Sequence, residues 1–171
     1  MAGEEQVVRV HGTDELRSLA DQLREQADGR KRLRQLTTEL RRAAKPLATA
    51  VKSSVLTIPS NEWNARHGRE SLRRNIAKAV TVKVGTRGRK NTGVRVFINP
   101  KKMPDGRKGL VKHIEGTPGW TRWRHPVFGR DVWVNQGQNP FFTDAVRPGE
   151  RLAVEAVDNV LQRVKRDLEN G

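Results

Sequence analysis

The segment from Gly109 to Val146, GLVKHIEGTPGWTRWRHPVFGRDVWVNQGQNPFFTDAV, holds six of the eight aromatic residues of the chain. It starts with an apolar alternation around 110–114, passes through a loop rich in Trp and Arg, and continues with an apolar run at 132–134. Alternation with a period of two is typical of half-buried strands, and the closing Asn-Pro-Phe-Phe favours the start of a helix. The segment therefore predicts the order strand, loop, strand, helix.

The charge of the chain is large and unevenly distributed. Its 171 residues fit one domain, and 34 Lys and Arg against 19 Asp and Glu give a net charge of +15. Residues 24–90 carry 18 basic and 5 acidic side chains, whereas residues 144–171 carry 5 and 6. Such a field attracts nucleic acid, anionic membranes or acidic protein surfaces, and it does not select among them.

Several classes of protein are excluded or disfavoured by composition. The absence of cysteine excludes disulfides, thiolate metal sites and cysteine catalysis. No apolar run approaches the length of a membrane-spanning helix, and residues 1–10 lack the apolar centre of a signal peptide. We therefore expect a soluble protein that is made inside a cell.

Two amphipathic helices are predicted in the first third of the chain. Apolar residues recur every three or four positions at Leu16, Leu19, Ala20, Leu23 and Ala27, and then at Leu33, Leu36, Leu40, Ala44, Leu47, Val51 and Val55. The first helix should begin at Thr13 and end near Gly29. The second should cover 30–55, with Pro46 bending or interrupting it. Residues 1–29 are accordingly predicted to be a helical extension of a domain that covers 30–171.

The period then changes from 3.6 to two. Val80, Val82 and Val84 alternate with Thr81 and Lys83, and after a basic loop Val94, Val96 and Ile98 alternate with Arg95 and Phe97. We predict a mainly antiparallel four-stranded sheet from 79–85, 93–99, 109–115 and 131–135. A helical turn is predicted at Asn139-Pro140, a break at Pro148-Gly149 and a closing helix over 150–168. The fold class is then α+β, with the sheet packed against the 30–55 and 150–168 helices.

No catalytic or cofactor motif can be assembled from the sequence. Gly85, Gly88 and Gly93 lack the spacing of a phosphate-binding loop. The four histidines are far apart, although His113 could share a strand face with Glu115. No nucleophile signature accompanies them. We therefore predict no enzymatic activity, no cofactor and no metal.

Two basic segments are candidate interaction sites. One is the hairpin loop with Arg87, Arg89 and Lys90, and the other is the cluster Trp120, Arg122, Trp123 and Arg124. Trp interleaved with Arg suits a protein interface, but the same residues could pack in the core or stack on bases. The alternatives of a protein partner and a nucleic acid stay open at this point.

The chain resembles the tail-completion family of long-tailed bacteriophages over about residues 30–168. The resemblance rests on Leu72-Arg73-Arg74-Asn75-Ile76, a β-hairpin, the turn Glu115-Gly116-Thr117, and Asn139-Pro140-Phe141-Phe142 before a closing helix. Members of that family have a Glu-Phe-Gly-Thr-like turn before an Arg-Pro-Phe-Leu-like segment. In this reading Glu115, Gly116, Thr117, Pro140, Phe141 and Phe142 are a structural motif, and the two Phe side chains pin the last helix to the sheet.

The resemblance implies a structural protein of the virion neck, made in the host cytoplasm, that joins the tail tube to the capsid connector. It implies a homo-oligomeric ring, with a hexamer as the expected state, around the DNA passage. Partners would be other neck proteins and the tail tube or tail terminator, with non-specific contact to the conducted DNA. The alternatives are a basic nucleic-acid-binding protein and a component of a phage-derived injection system.

Overall fold

Helix α2 is the element around which the others pack. The structure, a computed structural model, describes residues 7–9, 13–59, 71–88, 92–116, 122–126 and 131–170. In chain order the elements are β1 (Val7–Arg9), α1 (Thr13–Glu25), α2 (Gly29–Thr57), α3 (Leu72–Ala79), β2 (Val80–Gly85), β3 (Gly93–Ile98), a 3-10 turn (Pro100–Lys102), α4 (Leu110–Glu115), β4 (Arg122–Pro126), β5 (Trp133–Gly137) and α5 (Phe141–Glu169). The fold is therefore α+β, with long helices and small antiparallel sheets.

The predicted hairpin at 79–85 and 93–99 is confirmed. Strands β2 and β3 are antiparallel with Val82 opposite Val96, and β1 adds to the other edge of β3. The apolar face of this sheet packs on α2, while Lys83 and Arg95 lie opposite each other on the other face. Period-two alternation determined this register because a slip of one residue would move the valines to the outer face.

The predicted four-stranded sheet is not formed, because 110–115 is the helix α4. Val111 and Ile114 are buried, whereas Lys112 and His113 between them are exposed. A spacing of three places two side chains on one helical face, and in a strand it would place them on opposite faces. The predicted strand at 131–135 is Trp133–Gly137, which pairs with Arg122–Pro126 in a separate two-stranded ribbon.

Neither Pro46 nor Pro148 interrupts its helix, so the break predicted at Pro148-Gly149 is wrong. Helix α2 continues through Pro46, and α5 runs from Phe141 to Glu169 through Pro148. In α5, Val146 and Ala153 are buried on either side of Pro148. Packing along the helix holds it together where local propensity favours a break.

Helix α5 packs chiefly on α2, and among the described elements α2 is the long helix that makes extensive contacts with β2 and β3. The predicted packing of the last helix against the sheet is not found among these contacts. Phe141 and Phe142 are buried in the same apolar core as Val51 and Val94. Leu16 and Leu23 of α1 also belong to this core. The domain boundary at residue 29 stays a prediction, and α1 packs directly on α2.

Candidate assembly surface

The β4–β5 ribbon leaves the body of the protein after α4 and returns just before α5. At its base the backbone N–H of Asn139 donates a 2.7 Å hydrogen bond to the carbonyl of Ile114. We call this base the root clamp. It consists of Ile114, Glu115, Gly116, Gln138, Asn139, Phe142 and Thr143. The predicted motif residues Glu115, Gly116, Pro140, Phe141 and Phe142 thus come together, and Thr117 lies outside the described residues.

The Glu115 carboxylate caps helix α5 from another element. It accepts hydrogen bonds from the backbone N–H of Phe142 at 2.8 Å and of Thr143 at 2.9 Å. The Thr143 hydroxyl donates a third bond of 2.6 Å to the same carboxylate. The first N–H groups of a helix lack partners within it, and Pro140 at the N-cap position makes no side-chain cap. Glu115 is only 5% exposed, and its carboxylate accepts from these donors. Its negative charge also interacts favourably with the positive, N-terminal end of the dipole of α5.

Gly116 turns the chain away from α4. Its φ of 104° and ψ of 153° lie in a region that side chains oppose. A Cβ atom here would also lie 2.4 Å from Oε1 of Gln138. The first and last residues of the ribbon segment are therefore in contact because residue 116 lacks a side chain.

One face of the ribbon combines Arg with an exposed Trp. Arg124 is opposite Asn135 and Pro126 is opposite Trp133, so Arg124 and Trp133 are diagonal neighbours on one face. The Arg124 guanidinium lies over the Trp133 indole, 5.3 Å from its centroid, in a cation–π contact. Trp133 is nevertheless 55% exposed. The contact orients the indole and leaves much of its surface available to another molecule.

The ribbon has little support from the rest of the fold. Among the described elements, its extensive contacts are only between its own two strands. Val132, beside Trp133, is 52% exposed. A two-stranded ribbon is marginally stable alone in water, and Trp and Arg are favoured at the centres of protein interfaces. The ribbon is therefore the candidate interaction surface among the described residues.

The structure places some of the predicted interaction residues and leaves others outside its description. Arg87 is exposed beyond β2, and Arg122 and Arg124 are exposed on β4. Arg89, Lys90 and Trp120 lie outside the described residues, and of Trp123 only the backbone pairing with Gln136 is described. Among the described elements, the strands β2 and β3 that flank the hairpin loop make no extensive contacts with β4 or β5.

The apolar run that contains Trp133 did not indicate that this residue is exposed on the surface. The run Val132-Trp133-Val134 predicts one strand of the four-stranded sheet. Its partner strand, Arg122–Pro126, carries two Arg and one His in five residues. That polar composition is the signal that the pair is not a core hairpin.

The described residues show no other chemical site. His113 is exposed on α4 and Glu115 is buried, so the two do not share a face as predicted. No three His, Asp or Glu side chains of the described ranges are grouped so that they could hold a metal ion. Nor does any helix in these ranges have the length and apolar character needed to cross a bilayer.

Comparison with known proteins leaves the family of the chain open. No protein-family model matches the chain, and no curated protein or solved structure is significantly similar to it. The root clamp and the exposed ribbon are therefore the basis for a functional proposal.

Proposed function

We propose that this protein is a structural component of the neck of a long-tailed bacteriophage, of the tail-completion type. Its role is to join the tail tube to the capsid connector during assembly and to form part of the DNA conduit. It acts by assembly and not by catalysis, and it uses no cofactor. The virion neck is its place of action.

The observation that carries the proposal is the exposed ribbon held at its base by a buried carboxylate. The root clamp fixes where the ribbon leaves the body, since Glu115 and Asn139 tie its two ends to α5 and α4. The strands beyond it present Arg122, Arg124 and Trp133 to solvent. A positioned but uncovered Arg and Trp surface suits a contact with a neighbouring subunit or neck protein.

The proposed assembly is a closed ring of identical copies. Heterologous contacts, in which two different surfaces meet, close into a ring when the rotation between copies divides a full turn. A ribbon that leaves the body of one copy can reach the next in this way. A hexamer is the expected stoichiometry.

The test is the size of the purified protein followed by its binding to purified tail tubes. We expect rings, or rings that form on the tail end, and saturable binding of one ring to each tail. Trp133→Ala should reduce ring formation and tail binding. Leu152→Ala removes an apolar side chain that is 67% exposed on α5 and serves as the matched control. A protein that stays monomeric, does not bind tail tubes and binds DNA would support the alternative function, that of a basic nucleic-acid-binding protein.

A further inference from the structure

Helix α2 carries most of the unbalanced positive charge of the described helices. It contains eight basic residues and one acidic residue, Glu39, which pairs with Arg163 of α5. Helix α5 has the same length of 29 residues and contains five basic and six acidic residues. A solvated helix commonly mixes the two signs, as α5 does with its pair Arg151–Glu155. The composition of α2 is therefore not that of an ordinary exposed helix.

Seven of the basic residues of α2 lie on one side of the helix, and we call them the cationic face. They are Arg30, Lys31, Arg34, Arg41, Arg42, Lys45 and Lys52, and all seven are exposed. At 3.6 residues per turn they fall within an arc of about 120°, and the first and last are about 33 Å apart along the axis. The face is thus a band of cations that covers about one third of the helix circumference.

Within the described residues, the cationic face is not paired with acidic side chains. None of its seven side chains makes an ion pair or hydrogen bond with another residue in the part of the chain that the structure describes. Arg30 and Arg34, and Arg41 and Lys45, are like charges four residues apart, a spacing that disfavours a helix. A polyanion bound along the face would remove this repulsion.

The dimensions of the face match a DNA duplex better than an acidic surface of a second copy. One turn of B-form DNA is about 34 Å long, and each strand presents a phosphate every 3.4 Å or so. The most acidic described helix is α1, with four acidic and two basic residues over 13 positions. Its Asp21 is already paired with Arg17 and Arg24. The acidic residues of α1 therefore cover too short a length, and are too far neutralised by their own Arg partners, to bind along the cationic face of a second copy.

We propose that the cationic face of α2 binds the phosphate backbone of double-stranded DNA without regard to sequence. Exposed Arg and Lys spread along one face of the helix would contact those phosphates that come close to the face, and would release condensed counterions. This inference rests on the proposed neck function in one respect, which is that a DNA duplex passes through the neck and so comes close to the protein.

The experiment measures binding of a fluorescent 30-base-pair duplex to the full chain by anisotropy over a range of salt concentrations. The test variant is the triple Arg34→Ala, Arg41→Ala, Lys45→Ala. The matched control is the triple Arg147→Ala, Arg151→Ala, Lys165→Ala on α5, which removes the same charge from exposed positions. Circular dichroism and the unfolding midpoint should be close to wild type for both triples.

We expect the α2 triple to bind the duplex at least about tenfold more weakly at 0.1 M salt, with a salt slope smaller by up to about 2.7. The control should change affinity by no more than about twofold. Equal losses in both triples would overturn the proposal, because the net charge alone would then govern binding. Unchanged binding by the α2 triple would overturn it too.

Two further outcomes would assign the face to another occupant and so contradict the proposal. One is tighter competition by poly-glutamate than by unlabelled duplex of equal charge. The other is loss of self-association by the α2 triple with duplex binding intact. Ring formation and tail binding by the same variants are scored separately. Loss of the proposed DNA binding would therefore not contradict the neck function. Loss of head–tail joining would likewise not contradict DNA binding by the cationic face.

Discussion

The Glu115 carboxylate accepts a 2.8 Å hydrogen bond from the backbone N–H of Phe142, which joins the end of α4 to the first turn of α5. Replacing Glu115 by Ala leaves the N–H groups of Phe142 and Thr143 without this partner. We expect a loss of about 1–3 kcal/mol in the free energy of unfolding, because a buried donor without an acceptor costs its desolvation. Urea denaturation measures the change.

The control for this prediction is Glu150→Ala, which removes an exposed carboxylate from α5 itself. A surface substitution of that kind should change stability by no more than about 0.5 kcal/mol. Equal effects of the two substitutions would contradict the capping role of Glu115.

Thr143→Val tests the third bond of the cap. It removes the hydroxyl that donates to Glu115 at 2.6 Å and keeps both backbone donors. We expect a loss of about 0.5–1.5 kcal/mol in a wild-type background. In a Glu115→Ala background the same substitution should cost almost nothing, because its acceptor is gone. Additive losses in this double-mutant cycle would show that Thr143 acts independently of Glu115.

Gly116→Ala should destabilise the root clamp through the backbone. At the observed φ of 104° a side chain is strained by about 1–3 kcal/mol, whatever space surrounds it. Gly137→Ala is the matched control at the other end of the ribbon, where a Cβ atom would meet nothing within 4 Å. Thermal unfolding of both variants measures the difference. A Gly116→Ala variant as stable as Gly137→Ala would refute the assigned strain.

Local patterns predicted the hairpin and the long helices because each is long enough to show its period. Val80 to Val84 alternate with polar residues, Val94 to Ile98 keep the same period apart from the apolar Phe97, and the two strands pair as predicted. The six residues of α4 are too few to distinguish the two periods, since Leu110, Val111 and Ile114 fit part of each pattern. The pairing of Val7–Arg9 with β3 joins residues about ninety positions apart, and no local signal reveals it.

The sequence identified several residues of the candidate site, but it did not predict how they are arranged in space. The resemblance named Glu115-Gly116 and Pro140-Phe141-Phe142 as motif residues and did not predict that the two segments meet, and the cap also includes Thr143, which carried no signal. The apolar run at 132–134 does not by itself predict the exposed position of Trp133, because such a run is compatible with both a core strand and an uncovered ribbon. The polar composition of the partner strand, Arg122–Pro126, is the sequence signal that distinguishes these two environments.

Gly29→Ala should destabilise the junction of α1 and α2, although Ala is ordinarily the better residue in a helix. A Cβ atom at residue 29 would lie 2.0 Å from the carbonyl oxygen of Leu23, so the backbone of one helix would have to move. Overpacking of this kind costs about 1–3 kcal/mol. Gly109→Ala, where nothing lies within 4 Å, should be neutral or stabilising. Chemical denaturation of the pair checks the sign, and a stabilised Gly29→Ala variant would refute the close contact.

The last prediction separates charge from apolar contact in the proposed assembly. Replacing Arg87, Arg89 and Lys90 by Ala should slow association and weaken its dependence on salt, because long-range attraction acts on encounter and is screened by ions. Replacing Trp120, Trp123 or Trp133 by Ala should chiefly speed dissociation, with a loss of about 1–4 kcal/mol for an anchor residue.

Head–tail joining by purified heads and tails, followed over time at two salt concentrations, measures both effects. Leu152→Ala again provides the control for loss of an exposed apolar side chain. Association that slows equally in the basic and Trp variants would contradict the separation of roles. Unchanged rates and yields in every variant, with the fold intact, would exclude the loop and the ribbon from assembly, because a contact that contributes binding energy cannot be removed without changing a rate.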